Sequence, residues 1–203
     1  MNILGFDTSS KDIYLALITD VKKVSKVIKD TPSTEQLLVK IDEFLNEYKL
    51  KISDINIISS GIGPGSFTGS RVAIVTAKAF AVANVNMKLL PFSAFDAIGY
   101  KDDGNLYVLE GFSNFVYTAK NGEFLCETID SAKKKANESE CVFATCNILG
   151  VPNFKKVEYD ILKAILGKLG TRDYTKVSEL EPIYLRASQA EIQLEEKLKR
   201  GNK

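Results

Sequence analysis

The chain has 203 residues, 45% of them hydrophobic and 26% charged, which is enough for one large or two small soluble domains with a buried core. Its formal net charge is only +1, so no overall basic field is available to attract a polyanion. There is no histidine, which excludes His-based acid–base catalysis, Ser-His and Cys-His nucleophiles, and every histidine metal site.

The cysteines and the amino terminus bear on the compartment. Cys126, Cys141 and Cys146 are odd in number and lack C-x-x-C spacing, which favours free thiols in a reducing environment. Asp7 comes too early for a signal peptide, and no apolar run approaches the length of a membrane span. We expect a cytoplasmic protein without membrane contact.

The first hundred residues predict an antiparallel meander that is extended by parallel crossovers. Ser33 and Gln36 have capping-box spacing at the start of an amphipathic helix over residues 33–48. Its predicted apolar stripe consists of Leu37, Leu38, Ile41, Phe44, Leu45 and Tyr48. Period-2 and apolar runs predict strands around it, over residues 2–7, 13–18, 23–29, 55–59 and 89–91. Ser93 can cap a helical turn that extends to residue 98. This order is typical of a ribonuclease-H-like, actin-like unit.

After the polar residues 101–104 the same pattern weakly repeats. Asn121-Gly122 is a strong hairpin signal between two runs of alternating residues. Strands are predicted over residues 105–110, 115–120, 123–128 and 141–145, and helices over 131–137, 157–169 and 187–200. The last helix carries a stripe of Ala190, Leu194 and Leu198 that we expect to pack back on the body.

These patterns predict an α/β protein with an actin-like (ribonuclease-H-like) two-lobed fold, built from duplicated βββαβα units with mixed sheets. We place the first lobe at residues 1–103 and a smaller second lobe at residues 104–203.

A glycine-dense turn between the fourth strand and a long apolar helix is the most distinctive stretch. Gly63, Gly65 and Gly69 permit close backbone approaches, and Ser66 or Thr68 can cap the helix. Such a helix start can bind an anion, but the spacing fits neither the P-loop nor the Rossmann fingerprint. An anion site and a tight strand-to-helix connection therefore both remain open.

Asp7, at the end of the first strand, has the same two interpretations. With Ser9 it could hold a phosphate or a hydrated Mg²⁺, or it could satisfy the polar groups of a tight turn. The candidate nucleotide or phosphate contacts are Asp7, Ser9, Gly63, Gly65 and Ser66.

The helix after the glycine turn has almost no polar face. Arg71 and Lys78 lie on one arc of it, flanked by Phe67, Val75 and Val82. A helix that is apolar all round is normally buried all round, so this arc should pack on a second polypeptide or beneath another part of this chain.

The sequence leaves three functions to compare: two classes of enzyme, and a noncatalytic subunit that binds another protein. A ribonuclease-H-type nuclease needs several acids around Asp7, yet the fourth strand ends in Ser59-Ser60-Gly61. An independent actin-like ATPase or small-molecule kinase should show a Gly-Gly adenosine turn and a second strand-borne acid; Glu110 could be that acid, but no Gly-Gly pair occurs. A noncatalytic interaction subunit explains the apolar helix and the missing catalytic groups together.

Residues 63–71, GPGSFTGSR, resemble the TsaB (also called YeaZ) family of bacterial subunits that modify tRNA with threonylcarbamoyladenosine. Asp7-Thr8-Ser9, Ala77-Lys78 and residues 182–186, PIYLR, also match, so that the resemblance spans nearly the whole chain. It implies an actin-like fold without its own transferase activity. It further implies a helix–helix pairing with a TsaD-like catalytic subunit, a TsaE-like ATPase as third component, tRNA bound through the complex, and a homodimer when the chain is alone.

The resemblance and the apolar arc together place the partner interface on two helices. The candidate residues are Phe67, Arg71, Ile74, Val75, Lys78 and Val82 on the second helix, and Val39, Lys40 and Glu43 on the first.

Two departures from the related sequences support a noncatalytic assignment. Catalytic relatives carry two metal-binding histidines after this helix, whereas residues 91–97 read PFSAFDA, so no metal site is expected. The family often has Asp-Ala-Arg after the first strand of the second lobe, whereas this chain has Glu110-Gly111-Phe112. We expect no cofactor on the chain alone, and ATP with Mg²⁺ only in the assembled complex.

Overall fold

The computed structural model describes residues 1–186, and its first half is a five-stranded mixed sheet. The strands are β1 (Ile3–Asp7), β2 (Ile13–Ile18), β3 (Lys23–Ile28), β4 (Ile57–Gly61) and β5 (Lys88–Phe92). They lie in the order β3-β2-β1-β4-β5, with β1, β2 and β3 antiparallel and with β4 and β5 parallel to β1. The predicted ribonuclease-H-like order is confirmed. The helix predicted over residues 187–200 lies outside the described residues.

Two long helices cover one face of this first sheet. They are α1 (Ser33–Glu47) and α2 (Phe67–Ala83), and their apolar side chains share one core with the strands. Two local predictions are wrong. Ser33 lies inside α1, and the carbonyl of Pro32 accepts the Gln36 amide instead, so there is no capping box. Ile55 is buried but precedes β4, because a short 3-10 turn holds it outside the sheet.

The second half repeats the strand order of the first. Its strands are β6 (Leu106–Glu110), β7 (Phe115–Lys120), β8 (Glu123–Thr128), β9 (Val142–Ala144) and β10 (Phe154–Lys156), in the order β10-β9-β6-β7-β8. Helix α4 (Ile129–Asn137) follows β8 as α1 follows β3. The predicted hairpin is confirmed, because Asn121 and Gly122 both have positive φ, 52° and 76°. The duplicated actin-like fold is therefore confirmed.

The two copies are unequal. In the first copy α2 connects β4 to β5, whereas residues 145–153 connect β9 to β10 without a helix. The strand β10 has only three residues and was not predicted. The large apolar helix of the molecule therefore belongs to the first copy alone.

The helices that end the two copies pack on each other's sheets. Phe95 of α3 (Ala94–Ala97) packs with Tyr107 and Leu109 of the second sheet. Ile165 of α5 (Ile161–Thr171) packs on the face of the first sheet that α1 and α2 leave open. Gly5 makes room for it, since a Cβ there would lie 2.2 Å from the Ile165 Cδ1 atom.

The structure thus places α5 against the first sheet, although our boundary at residues 103/104 assigns it to the second lobe. The first sheet has two apolar faces, and a single pair of helices covers only one of them.

Among residues 1–186, no helix has both the length and the hydropathy needed to cross a bilayer.

The exchanged helix gives a direct test of the fold. Ile165 has no exposed surface, so Ile165→Ala should lower the free energy of unfolding by about 2–5 kcal/mol through lost burial and a cavity. Leu166 is 37% exposed, and Leu166→Ala should change it by only about 0.5 kcal/mol. Urea unfolding of both variants measures the difference, and equal losses would contradict the packing of α5 on the first sheet.

Candidate functional site

The glycine turn begins α2 with a side-chain cap. The Ser66 hydroxyl accepts a hydrogen bond from the Gly69 amide at 3.2 Å, so Ser66 and not Thr68 is the cap. Gly63 has φ +86°, a left-handed conformation that favours glycine. The turn is then fastened to the start of α3, because the Ala94 amide donates to the Gly63 carbonyl at 2.7 Å.

The β1–β2 turn fills the space in front of these glycines. The Ser66 amide donates to the Ser9 carbonyl at 2.6 Å, and the Thr8 hydroxyl donates to the Gly69 carbonyl at 2.6 Å. A Cβ on Gly65 would lie 2.3 Å from the Ser9 carbonyl oxygen, and one on Gly69 would lie 1.8 Å from that of Thr8. In this structure the glycines serve a backbone-to-backbone contact, and protein groups take the Ser66 and Gly69 amides that an anion would use.

Asp7 is fully buried beneath this contact. Its carboxylate accepts hydrogen bonds from the Ser9 amide at 3.1 Å, the Ser9 hydroxyl at 2.9 Å and the Tyr159 hydroxyl at 2.7 Å. Gly61 lies against it, since a Cβ there would be 2.1 Å from the Asp7 Oδ1 atom. Our prediction of a nucleotide contact by Asp7 does not hold in this conformation, because the side chain has no surface with which to make one.

Burial controls the electrostatics of this pair. It raises the pKa of Asp7, although the hydrogen bonds from Tyr159 and Ser9 act in the opposite direction. Burial, together with the adjacent Asp7 charge, also raises the pKa of the Tyr159 hydroxyl well above its usual value. Tyr159 therefore stays protonated and donates to Asp7.

Two tyrosines from the second half of the chain join the lobes here. Tyr159 bonds Asp7 across 152 residues, and the Tyr117 hydroxyl donates to the Gly65 carbonyl at 3.2 Å. Sequence analysis missed both, because no local pattern links residues so far apart. Glu110 ends β6 as Asp7 ends β1, but its side chain is exposed, so the two acids correspond in position and not in environment.

The second candidate site is the outer face of α2. Val75 and Val82 are 64% and 69% exposed, and Phe67 remains 38% exposed. On the neighbouring α1, Val39 is 48% exposed and Glu43 forms an ion pair with Lys40 at 2.8 Å. We call the surface formed by Phe67, Arg71, Val75, Lys78 and Val82 of α2 with Leu38, Val39, Lys40 and Glu43 of α1 the outer helix face.

Two side chains differ from the prediction for this face. Ile74 is only 4% exposed and belongs to the core with Ala73 and Ala77, so it cannot contact a partner from its present position. Leu38 was assigned to the buried stripe of α1 but is 59% exposed. Both lie at the border between the buried and exposed arcs, where helical periodicity separates neighbours least sharply.

Part of the outer helix face is covered by the chain itself. Residues 173–186, which we call the terminal arm, run along α2 in the opposite direction. Glu181 forms an ion pair with Lys78 at 2.9 Å, and Tyr184 accepts a hydrogen bond from the Arg71 Nε atom at 2.7 Å. The terminal arm leaves Val75 and Val82 exposed. The predicted burial beneath another part of this chain therefore applies to the part of the arc at Arg71 and Lys78, and packing on a second polypeptide remains a prediction for the part at the two valines.

Fold and site together define a two-lobed, actin-like protein with a buried strand-end acid and an exposed apolar helix face. A model of the family described as TsaD, tRNA N6-adenosine threonylcarbamoyltransferase, matches residues 29–164. The YeaZ structure from Pseudomonas aeruginosa has the same fold, with a TM-score of 0.65 at 18% identity over 91% of this chain and 99% of that one.

Curated relatives refine this class. The tRNA threonylcarbamoyladenosine biosynthesis protein TsaB of Buchnera aphidicola is 34% identical over 82 residues, which are 39% of this chain and 37% of the relative. TsaB of Haemophilus influenzae is 30% identical over 100 residues, which are 48% of this chain and 42% of the relative. The matches thus span about two fifths of the length of these relatives. The chain belongs to the family that the TsaD model describes, and the curated relatives that it resembles at 30–34% identity are TsaB proteins.

The buried acid generates a prediction about pH. Because the pKa of Asp7 is higher in the folded than in the unfolded chain, the folded state binds the extra proton between the two values. Stability from this group is therefore lost as pH rises from about 4 through the folded pKa, by about 1.4 kcal/mol for each unit of difference. Asp7→Asn should remove this slope in urea unfolding measured from pH 4.5 to 7.5.

Asp12→Asn is the matched control. Burial raises the pKa of Asp12, but hydrogen bonds from Lys29 and from the Asp30 amide outweigh it, so the pKa is lowered. Its contribution changes below about pH 4, and the control should keep the wild-type slope. If Asp7→Asn keeps the wild-type slope between pH 4.5 and 7.5, the hydrogen bonds of Asp7 outweigh its burial and the prediction is wrong.

Proposed function

We propose that this chain is a noncatalytic pairing subunit in the biosynthesis of N6-threonylcarbamoyladenosine in tRNA, and that it binds and activates a TsaD-like catalytic subunit. The observation that carries the proposal is the outer helix face. The described residues, 1–186, leave Val75 and Val82 of this apolar helix exposed, so they bury it incompletely. Burial of each such side chain on a partner contributes about 1.5–3 kcal/mol.

The proposed process, threonylcarbamoyladenosine biosynthesis, is taken from the names of the relatives. The curated relatives are named tRNA threonylcarbamoyladenosine biosynthesis protein TsaB, and the matching family model is named for a threonylcarbamoyltransferase. The proposal assigns the transfer reaction to a TsaD-like partner, with a TsaE-like ATPase and tRNA joining the complex. In the absence of that partner, the outer helix face is proposed to form a homodimer.

The side-chain chemistry of this chain supports assigning the transfer reaction to the partner. It has no histidine, and Asp7 is buried and already bonded to three donors. Among residues 1–186, no group of three His, Cys, Asp or Glu side chains lies close enough to hold a metal ion. We propose that ATP and Mg²⁺ are bound only within the assembled complex.

The deciding experiment is multi-angle light scattering of the purified chain, alone and mixed with the TsaD-like subunit of the same organism. A homodimer that is replaced by a one-to-one complex supports the proposal. A chain that is monomeric and does not bind the TsaD-like subunit contradicts the proposal, and the exposed valines would then need another explanation.

A charge on the outer helix face should prevent pairing. Val75→Glu places a carboxylate where the proposal buries an apolar side chain, so no complex should form at concentrations that saturate the wild type. Arg71→Glu should have the same effect. Val21→Glu is the matched control, because Val21 is 87% exposed in the β2–β3 turn, and it should pair normally. Light scattering measures pairing, and circular dichroism confirms that the monomers stay folded; unchanged pairing of Val75→Glu would move the interface elsewhere.

The isolated chain should bind ATP weakly or not at all, because Ser9, Ser66 and Tyr159 already occupy the groups around Asp7. Isothermal titration calorimetry of the chain with Mg·ATP measures this. A micromolar dissociation constant would favour the alternative, an independent actin-like ATPase or small-molecule kinase.

A further inference from the structure

The charges on the outer helix face are unevenly paired. Lys78 has a carboxylate partner in Glu181, and Lys40 has one in Glu43. Among residues 1–186, Arg71 has no carboxylate within ion-pair distance, although it lies one turn from the exposed Val75. Its described hydrogen bond is to a neutral acceptor, the Tyr184 hydroxyl.

Aromatic rings hold the Arg71 side chain in place. The guanidinium carbon lies 3.8 Å from the centre of the Phe67 ring and 5.6 Å from that of Tyr184. The two rings are themselves stacked, with centroids 5.0 Å apart and planes inclined by 29°. A guanidinium fixed in this way has already lost much of its rotamer freedom, so a new partner can bind it with a smaller entropic cost.

The donors of Arg71 are only partly used. A guanidinium has five N–H groups, and the Tyr184 hydroxyl takes the one on Nε. The two terminal nitrogens form a planar fork whose spacing matches the two oxygens of a carboxylate. They lie at the edge of the exposed apolar surface, where a partner that covers Val75 would also cover the fork.

We infer that Arg71 receives a carboxylate of the partner subunit, an Asp or Glu set among apolar residues, and that Phe67 and Tyr184 are positioning residues for this ion pair. The inference rests on the proposed pairing function and adds the chemistry of the partner surface. An ion pair beside an apolar contact, covered by the same partner, is partly desolvated, and it selects a partner and its register more strongly than an exposed pair does.

A carboxylate fits this position better than a nucleic-acid phosphate. Binding to a phosphate backbone usually draws on several unpaired cations. Here the neighbouring Lys78 is neutralised by Glu181, and the net charge of the chain is only +1. A single fixed arginine beside exposed valines is instead typical of a protein interface.

The test is the affinity of the full chain for the TsaD-like subunit, measured by calorimetry at 50 mM and 500 mM NaCl. Wild-type affinity should fall as salt rises. Arg71→Met keeps much of the side-chain volume but removes the charge, so it should weaken binding at low salt by about 30-fold or more and abolish the salt dependence. Tyr184→Phe keeps the ring but loses the bond to Nε, so binding should weaken less and stay salt-dependent.

Lys155→Met is the matched control. Lys155 is a cation over an aromatic ring, 5.8 Å from the centre of Phe143, but it lies on β10 of the second sheet. Its removal should leave both the affinity and the salt dependence unchanged. Equal thermal unfolding of all variants would exclude a loss of fold.

The outcomes separate the inference from the function on which it rests. If Arg71→Met binds like the wild type while Val75→Glu does not bind, the ion pair is wrong and the pairing function stands. If the wild type does not bind at all, both are wrong. If Arg71→Met keeps the protein partner but the complex loses tRNA, the counter-ion is a phosphate and the inference is wrong. An Asp or Glu of the partner whose change to Lys restores binding of Arg71→Glu would identify the carboxylate directly.

Discussion

The contact between the β1–β2 turn and the glycine turn determines the rest of this architecture. Backbone carbonyls of Thr8 and Ser9 approach Gly65 and Gly69 more closely than any side chain would permit. That approach seats the start of α2 against the first sheet, and the rotation of α2 about its own axis follows from it. Consequently the same contact decides which residues of α2 enter the core and which face outward, and it also closes the space around Asp7.

Much of this structure could be predicted from the helical and strand periodicity of the sequence. Helical spacing placed Val75 and Val82 on the same arc as Arg71 and Lys78, and the structure leaves both valines exposed. The strand order of the first lobe, and the hairpin of the second, followed from alternating residues and one Asn-Gly turn. Ile74 and Leu38 were assigned to the wrong side because each lies at the edge of an arc. At such positions the angle per residue does not decide between core and surface; the neighbouring element does.

Contacts between distant segments could not be read from the sequence in the same way. Tyr159 meets Asp7, and Tyr184 meets Arg71, across more than a hundred residues in each case. Likewise, the apolar side of α5 predicts that it is buried but not which sheet buries it. A three-residue strand such as β10 is too short to show a period, and it is defined by its pairing with β9.

The packing of α3 and α5 on each other's sheets affects how easily the two lobes can separate. In a two-lobed molecule whose halves meet only at a hinge, the lobes can rotate apart. Here each half inserts its closing helix beneath the other's sheet, and separation would expose Phe95 and Ile165 at the same time. Rotation of the lobes away from each other would therefore cost the burial of both side chains. The exposed side of α2 therefore belongs to a body whose two lobes are held together by two reciprocal apolar contacts.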